Sequence, residues 1–159
     1  MTQSLAQPHT SAVASIHILP SNWRDLPSIH ALERACFGSD AWNWLELLSL
    51  LFSGGIRLKA EVDGRLVGFV AGERHPAEQC AWIVTIGVLP EYQRRGIGAR
   101  LLAESEAQLK MPAIKLTVRE SNLGAIALYR KHGYQPQYTV PRYYSGGETG
   151  VVMEKTIAS

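Results

Sequence analysis

Between Val88 and Ala99 the chain reads Val-Leu-Pro-Glu-Tyr-Gln-Arg-Arg-Gly-Ile-Gly-Ala. These residue types in this order suit the binding of a phosphate. An apolar run turns at Pro90, and a helical pattern begins near Ile97. The first turn of a helix carries unpaired N–H groups and the positive end of the macrodipole, and the two together make an anion site. Gly96 and Gly98 have no Cβ, so an anion can approach the backbone closely. Arg94 and Arg95 add positive charge. A glycine turn with solvated arginines has the same letters, and this stretch alone does not separate the two readings. Two common phosphate loops do not fit. Gly98 is followed by Ala99-Arg100 where a P-loop needs Lys and Ser/Thr, and Leu101 stands where a dinucleotide fingerprint needs a small residue.

A second stretch runs from Leu116 to Tyr134. Asn122 is suited to cap a helix N-terminus. Ala125, Leu128, Tyr129 and His132 share one face by their spacing. Tyr129 therefore points at whatever that helix packs against, as a core tyrosine would.

The elements that must position these residues follow from periodicity. Residues 1–15 read as a flexible tail and 16–159 as one domain, whose first strand is Ile16–Leu19. Leu26–Phe37 and Trp44–Phe52 have helical spacing. The inward residues expected are Ile29, Leu32, Ala35 and Cys36 in the first helix, and Leu47, Leu48 and Leu51 in the second. Gly38–Asn43 joins the two helices. Ile56–Val62 and Arg65–Glu73 alternate around Asp63-Gly64, a hairpin turn. Ala81–Val88 is more continuously apolar, as in a strand covered on both faces. A helix over 97–110, a strand over Ile114–Val118 and a helix over Leu123–His132 come next. Gly133 sits where a left-handed C-terminal residue belongs. Tyr138–Val140 and Val151–Lys155 flank a Gly146-Gly147 turn. The order β-α-α-β-β-β-α-β-α-β-β gives a mixed α/β sheet.

Gln93-x-x-Gly96-x-Gly98, with Val-x-Pro just before it, resembles the acetyl-CoA motif of the GNAT superfamily of N-acetyltransferases. Asn122-x-x-Ala125-Ile126-x-Leu128-Tyr129-x-Lys131-x-Gly133-Tyr134 resembles the second motif of that superfamily, in the same order and separation. The resemblance implies the GNAT fold, classed α/β (α+β): a single mixed, mostly antiparallel sheet of six to seven strands with about four helices. It implies acetyl-CoA as cosubstrate. The amides of Arg94, Arg95, Gly96, Ile97, Gly98 and Ala99 would hold the diphosphate. Ile86, Gly87 and Val88 would pair with the pantetheine arm like an added strand, and Asn122 would contact the coenzyme. Tyr129 would be the general acid for the departing thiolate. A phenol with a pKa of about 10 is matched to that task. Val118-Arg119-x-Ser121-Asn122, Tyr143-Tyr144, Gly147-Glu148 and Cys36-Phe37 with Trp42 look most like the ribosomal-protein alanine and archaeal protein N-terminal acetyltransferases. In those enzymes Trp42, Tyr143 and Tyr144 would line the acceptor cleft, although strand-end tyrosines occur without such a role.

One position departs from that pattern. Thr117 stands where those enzymes often carry a glutamate base, and Ala81–Val88 holds no carboxylate. The base is left unassigned. Glu120 falls on the opposite strand face from Thr117, and Glu73 and His75 are further candidates near the cleft. An α-amine is roughly a tenth neutral at pH 7 and a lysine only ~0.04%, so the lack of a strong base favours a peptide N-terminus or another amine of low pKa. Direct attack by the amine is expected, because neither Cys36 nor Cys80 lies in a nucleophile motif. A small-molecule acetyltransferase and a non-catalytic CoA-binding sensor remain the alternative readings.

Composition bounds the rest. The chain has 159 residues, with 16 Lys plus Arg against 14 Asp plus Glu. So small an excess gives no reason to expect a nucleic-acid surface. Two cysteines do not make a disulfide framework or a metal cluster. The first residues lack the pattern of a signal peptide, and the longest apolar stretch is far short of the roughly 18 residues of a membrane span. A cytoplasmic protein, monomeric or homodimeric, with no metal and no membrane partner, is expected.

Overall fold

The structure, a computed structural model, describes residues 14–157. The expected tail thus lies almost wholly outside the described residues. The elements are β1 (Ile16–Pro20), α1 (Leu26–Phe37), α2 (Trp44–Phe52), β2 (Ile56–Val62), β3 (Arg65–His75), β4 (Cys80–Val88), α3 (Ile97–Leu109), β5 (Ala113–Arg119), α4 (Leu123–Lys131), β6 (Gln135–Val140) and β7 (Gly150–Thr156). Their order is the one read from the sequence. The largest boundary difference is β6, which starts three residues earlier than expected, at Gln135.

Local chemistry accounts for the boundaries. Pro27 sits at the start of α1, where its missing N–H costs nothing. Asn43 accepts from the N–H groups of Leu45 and Glu46, and Glu46 reciprocates, which makes a capping box for α2. Asp63 and Gly64 turn the β2–β3 hairpin with φ of 50° and 78°. Asn122 caps α4 by accepting from Ala125 N at 3.1 Å.

Seven strands form one sheet in the order β1-β2-β3-β4-β5-β7-β6. Every neighbouring pair is antiparallel except β4 and β5. Helix α3 packs on one face, where Gly68 and Gly72 leave room for Leu101 and Leu109. Helix α1 packs on the other, where Gly87 faces Leu32, Cys36 and Phe37. Leu101, Leu102 and Leu109 are fully buried. Each such side chain contributes roughly 1.5–3 kcal/mol by leaving water.

Two inward faces differ from expectation. In α1 the buried residues are Ile29, Leu32 and Glu33, while Ala35 is exposed. In α2 they are Leu47 and Leu50, while Leu48 is exposed. Both helices are rotated slightly from the face that side-chain polarity favours.

The sheet opens at one place. Pairing between β4 and β5 stops at Ile83↔Leu116, although both strands continue. Opposite Ala71 and Gly72 of β3 stand Thr85 and Ile83 of β4, so Val84 is an extra residue. This bulge twists β4 away from β5. The split between these two strands is the site.

Candidate active site

A cleft of about 610 Å³ fills the split. It is lined by the ends of β4 and β5, the start of α3, the inner face of α4, and the loop after α1. Bulged strands with unpaired edges present main-chain donors and acceptors to a ligand. Ile86, Gly87 and Val88 all lie on that free edge and line the cleft. Val88 O is already in use, since it accepts from Gln93 Nε2 at 3.0 Å and from the Cys36 thiol at 3.3 Å.

At the other end of the cleft the chain turns into α3. Gly96 is the N-cap, in the left-handed region at φ 78°, and no side chain caps the helix. A Cβ on Gly96 would meet nothing within 4 Å, so φ and not space selects glycine there. Arg94 is also left-handed, at φ 61°. Among the described residues no protein acceptor takes the N–H groups of Gly96, Ile97, Gly98 or Ala99. These unpaired donors at the positive end of a thirteen-residue helix fit a diphosphate. Gly96, Gly98, Ala99 and Arg94 line the cleft, as does Ile97, whose side chain is buried in the core.

The neighbouring arginines differ from expectation. Arg95 is turned out of the cleft. Its guanidinium donates to Glu91 O at 3.1 Å and lies 5.0 Å from the Tyr92 ring centre. Arg100 donates to Ile16 O at 2.9 Å and ties α3 to β1. Of the three clustered arginines, Arg94 alone lines the cleft.

Tyr129 enters from α4. It is 7% exposed, and its ring packs edge-on against Tyr134 with centroids 6.0 Å apart. Its hydroxyl makes no hydrogen bond within the described chain. Burial, and then the nearby Tyr144, push its pKa well above the usual phenol value, so it stays protonated. Asn122 also lines the cleft, with its Oδ1 spent on the cap.

The opposite wall is made of loops. Asp40, in the loop after α1, forms an ion pair with Arg119 at the end of β5 and accepts from Ser145 N at 2.9 Å. Glu148 accepts from the Ser121 hydroxyl and from Ser121 N, the latter at 3.0 Å, and pairs with Arg119; the Ser121 hydroxyl first, then its N–H and Arg119, hold the Glu148 pKa below the usual carboxylate value. Ser39 and Ser145 hydroxyls meet at 2.7 Å. The loop after α1 is thereby tied to the β6–β7 connection across the end of β5. Tyr144 donates to Thr117 O at 3.1 Å and lines the cleft. Its pKa is pushed up to about 12, chiefly by burial.

Trp42 and Thr117 line the cleft. Tyr143 does not. It is 54% exposed and meets the site only through the edge of Tyr144, with centroids 4.9 Å apart. Glu73 and His75 are at the far end of β3, beside Trp82 and Cys80, because the antiparallel register carries them away from the split. Glu120 is exposed beyond the end of β5.

One carboxylate of the site was not anticipated. Glu33 is 0% exposed and lines the cleft from α1. Cys36 lines it one turn further on, but burial and the charge of Glu33 push its thiol up to about 11. Such a thiol is a poor nucleophile near neutrality.

The sequence profile of the acetyltransferase (GNAT) family matches residues 18–134. The chain is 31% identical over 136 residues to an uncharacterised N-acetyltransferase of Methanocaldococcus jannaschii, covering 83% of this chain and 86% of that protein. It is 29% identical over 159 residues to the ribosomal protein bS18 alanine N-acetyltransferase of Salmonella typhimurium, covering 94% and 99%. The crystal structure of the ribosomal-protein-S18-alanine N-acetyltransferase of Escherichia coli superposes with a TM-score of 0.82 at 25% identity, over 91% of this chain and 96% of that one. The chain belongs to the acetyltransferase (GNAT) family. It is an acetyl-CoA-dependent N-acetyltransferase.

Proposed function

We propose that the acceptor is the α-amino group of a protein or peptide. The supporting observation is the sealed wall opposite the coenzyme seat. Asp40 and Glu148 are paired with Arg119, and Asp40 also holds Ser145 N; the rest of that wall is Trp42, Tyr144 and Thr117, with Glu33 the one lining carboxylate that no cation pairs among the described residues. A single unpaired carboxylate in an otherwise paired or uncharged wall suits one amine at a chain end better than a polycation, which needs several. The names of the Salmonella and Escherichia coli relatives, which specify an alanine of a ribosomal protein, point the same way.

In this reading the amides of Arg94–Ala99 and Asn122 hold acetyl-CoA, and the free edge of β4 at Ile86–Val88 guides its pantetheine arm. Acetyl-CoA supplies an activated thioester. The amine attacks it directly, since Cys36 is protonated and committed to Val88 O. Tyr129 gives its proton to the departing thiolate. No helix of the described residues is long and apolar enough to cross a membrane. The same proposal has the enzyme working in the cytoplasm, as a monomer or homodimer.

Thiol release measured with acetyl-CoA and a panel of amines tests the acceptor. Peptides with free N-termini should be turned over at least roughly tenfold faster than N-blocked peptides bearing lysine, following the neutral fractions of the two amines. Equal rates, or transfer to small amines alone, would refute this acceptor.

A further inference from the structure

Glu33 is a fully buried carboxylate on α1, with 0% exposure. Its Oε1 accepts from Thr85 Oγ1 at 2.6 Å, and its Oε2 accepts weakly from Trp42 N at 3.4 Å. Among the described residues no cation pairs with it. A buried carboxylate without a cation is costly, and the described residues offset that cost only with these two hydrogen bonds.

The register of the sheet shows which side of the cleft Glu33 serves. Thr85 points to α1, since it bonds Glu33, and Gly87 faces α1 as well. Ile83 lies beyond the bulge, opposite Gly72, whose open side faces Leu109 of α3. Leu116 pairs with Ile83, so it shares the α3 side, and its neighbour Thr117 is on the α1 side. Tyr129 comes from α4, which adjoins α3 where Gly98 faces Leu128. Glu33 and Tyr129 therefore approach one cavity from opposite faces of the sheet. An amine that enters on one face and a thiolate that leaves on the other need that arrangement of acceptor and donor.

We propose that Glu33 is the proton acceptor for the incoming amine, reached directly or across one water, in place of the strand carboxylate that Thr117 lacks. This rests on the acetyltransferase reading above. The ammonium loses one proton to the Glu33 carboxylate. The neutral nitrogen then forms the C–N bond to the acetyl carbon, and the C–S bond breaks with its electron pair on sulfur. Tyr129 protonates that sulfur and recovers the surplus proton of the new amide nitrogen. Glu33 releases its proton to solvent. Burial raises the Glu33 pKa, and the Thr85 hydrogen bond partly offsets that rise. Glu46 on α2 and Cys36 on its own helix act on Glu33, and the other titratable groups that line the cavity are Asp40, Tyr92, Arg94, Arg119, Tyr129 and Tyr144. Arg119 is committed to Asp40 and Glu148.

The test is the pH profile of kcat/KM for Glu33→Gln, with whichever amine the native enzyme turns over best. Acetyl-CoA affinity should stay within about twofold of native. Turnover at pH 7 should fall roughly 100-fold, and the deficit should shrink to roughly tenfold or less by pH 9, where an α-amine is already neutral. A purely structural role would give a deficit independent of pH. Folding should survive, because a carboxyl whose folded pKa is raised loses stability as pH rises through that pKa, and the amide removes this loss. If Glu33→Gln does not fold, Thr85→Val decides. Without its hydrogen bond the Glu33 acid limb should move to higher pH, with the acceptor KM unchanged. A native-like pH profile in the folded variant overturns the role of Glu33 and leaves the acetyltransferase reading intact. Absence of transfer by the native enzyme to any amine overturns both.

Discussion

The turn from β4 into α3 and the pair of loops facing it, 38–43 and 141–149, line the same cleft by different means. The first is built from one continuous stretch, Val88 to Ala99, and what it presents is mainly backbone: a strand edge, then free amides around Gly96. The second is built from side chains far apart in sequence. Asp40 meets Arg119 at the end of β5 and, 105 positions away, Ser145. A backbone seat accepts any side chain that keeps the path of the chain, so it can serve one coenzyme with little variation. A side-chain wall can be re-cut one residue at a time. That division matches an enzyme with a fixed donor and an acceptor particular to it.

The sharpest way to break this comparison acts where the two walls meet. Tyr129→Phe should lower kcat by roughly 10²–10⁴, the usual worth of a positioned acid, with acetyl-CoA affinity by calorimetry within about twofold of native. An unchanged kcat would remove Tyr129 from the chemistry. Next, Gly98→Asp separates fold from binding in the backbone seat. A Cβ at Gly98 makes only ordinary contact, 3.5 Å from Leu128 Cδ2, and an acid in the first helical turn is favourable by about 0.3–1 kcal/mol. The variant should melt no lower than native, yet bind CoA roughly 100-fold more weakly because two anions compete for the same donors. Lost stability with intact binding would contradict the seat.

In the side-chain wall, Asp40→Asn should raise the acceptor KM roughly tenfold, equivalent to about 1.4 kcal/mol, and should lower the melting temperature by a few degrees. CoA affinity should not move. The smallest change expected is for Tyr143→Ala. Its exposed ring lies outside the cleft, so kcat/KM should stay within about twofold of native, as surface substitutions do. A larger loss would restore Tyr143 to the acceptor wall.

Legibility in the sequence divides along the same line. The order of all eleven elements follows from local periodicity and from caps such as Asn43, Asn122 and the Asp63-Gly64 turn. The stretch 93–99 is legible because its chemistry is local. Glu33 was hidden by its neighbours: Leu-Glu-Arg-Ala-Cys-Phe reads as an amphipathic helix with the glutamate in water and Ala35 inside. The helix is rotated the other way, and the partners of its carboxylate, Thr85 on a distant strand and Trp42 N, lie outside it. The β4 bulge is equally silent. Nothing in Trp82–Thr85 marks Val84 as the extra residue, because the bulge arises from pairing with β3. Arg95 misled because two adjacent arginines look alike, whereas their backbone angles send one into the cleft and the other onto Tyr92.

The central claim is that main-chain amides at the start of α3 hold the diphosphate of the coenzyme. Calorimetric titration of the whole chain with CoA, and separately with pantetheine, which has the same arm and no phosphate, tests it most directly. CoA should bind at least roughly 100-fold more tightly than pantetheine, a difference of about 2.7 kcal/mol. Equal affinities for the two, or no heat with CoA at all, would contradict the account.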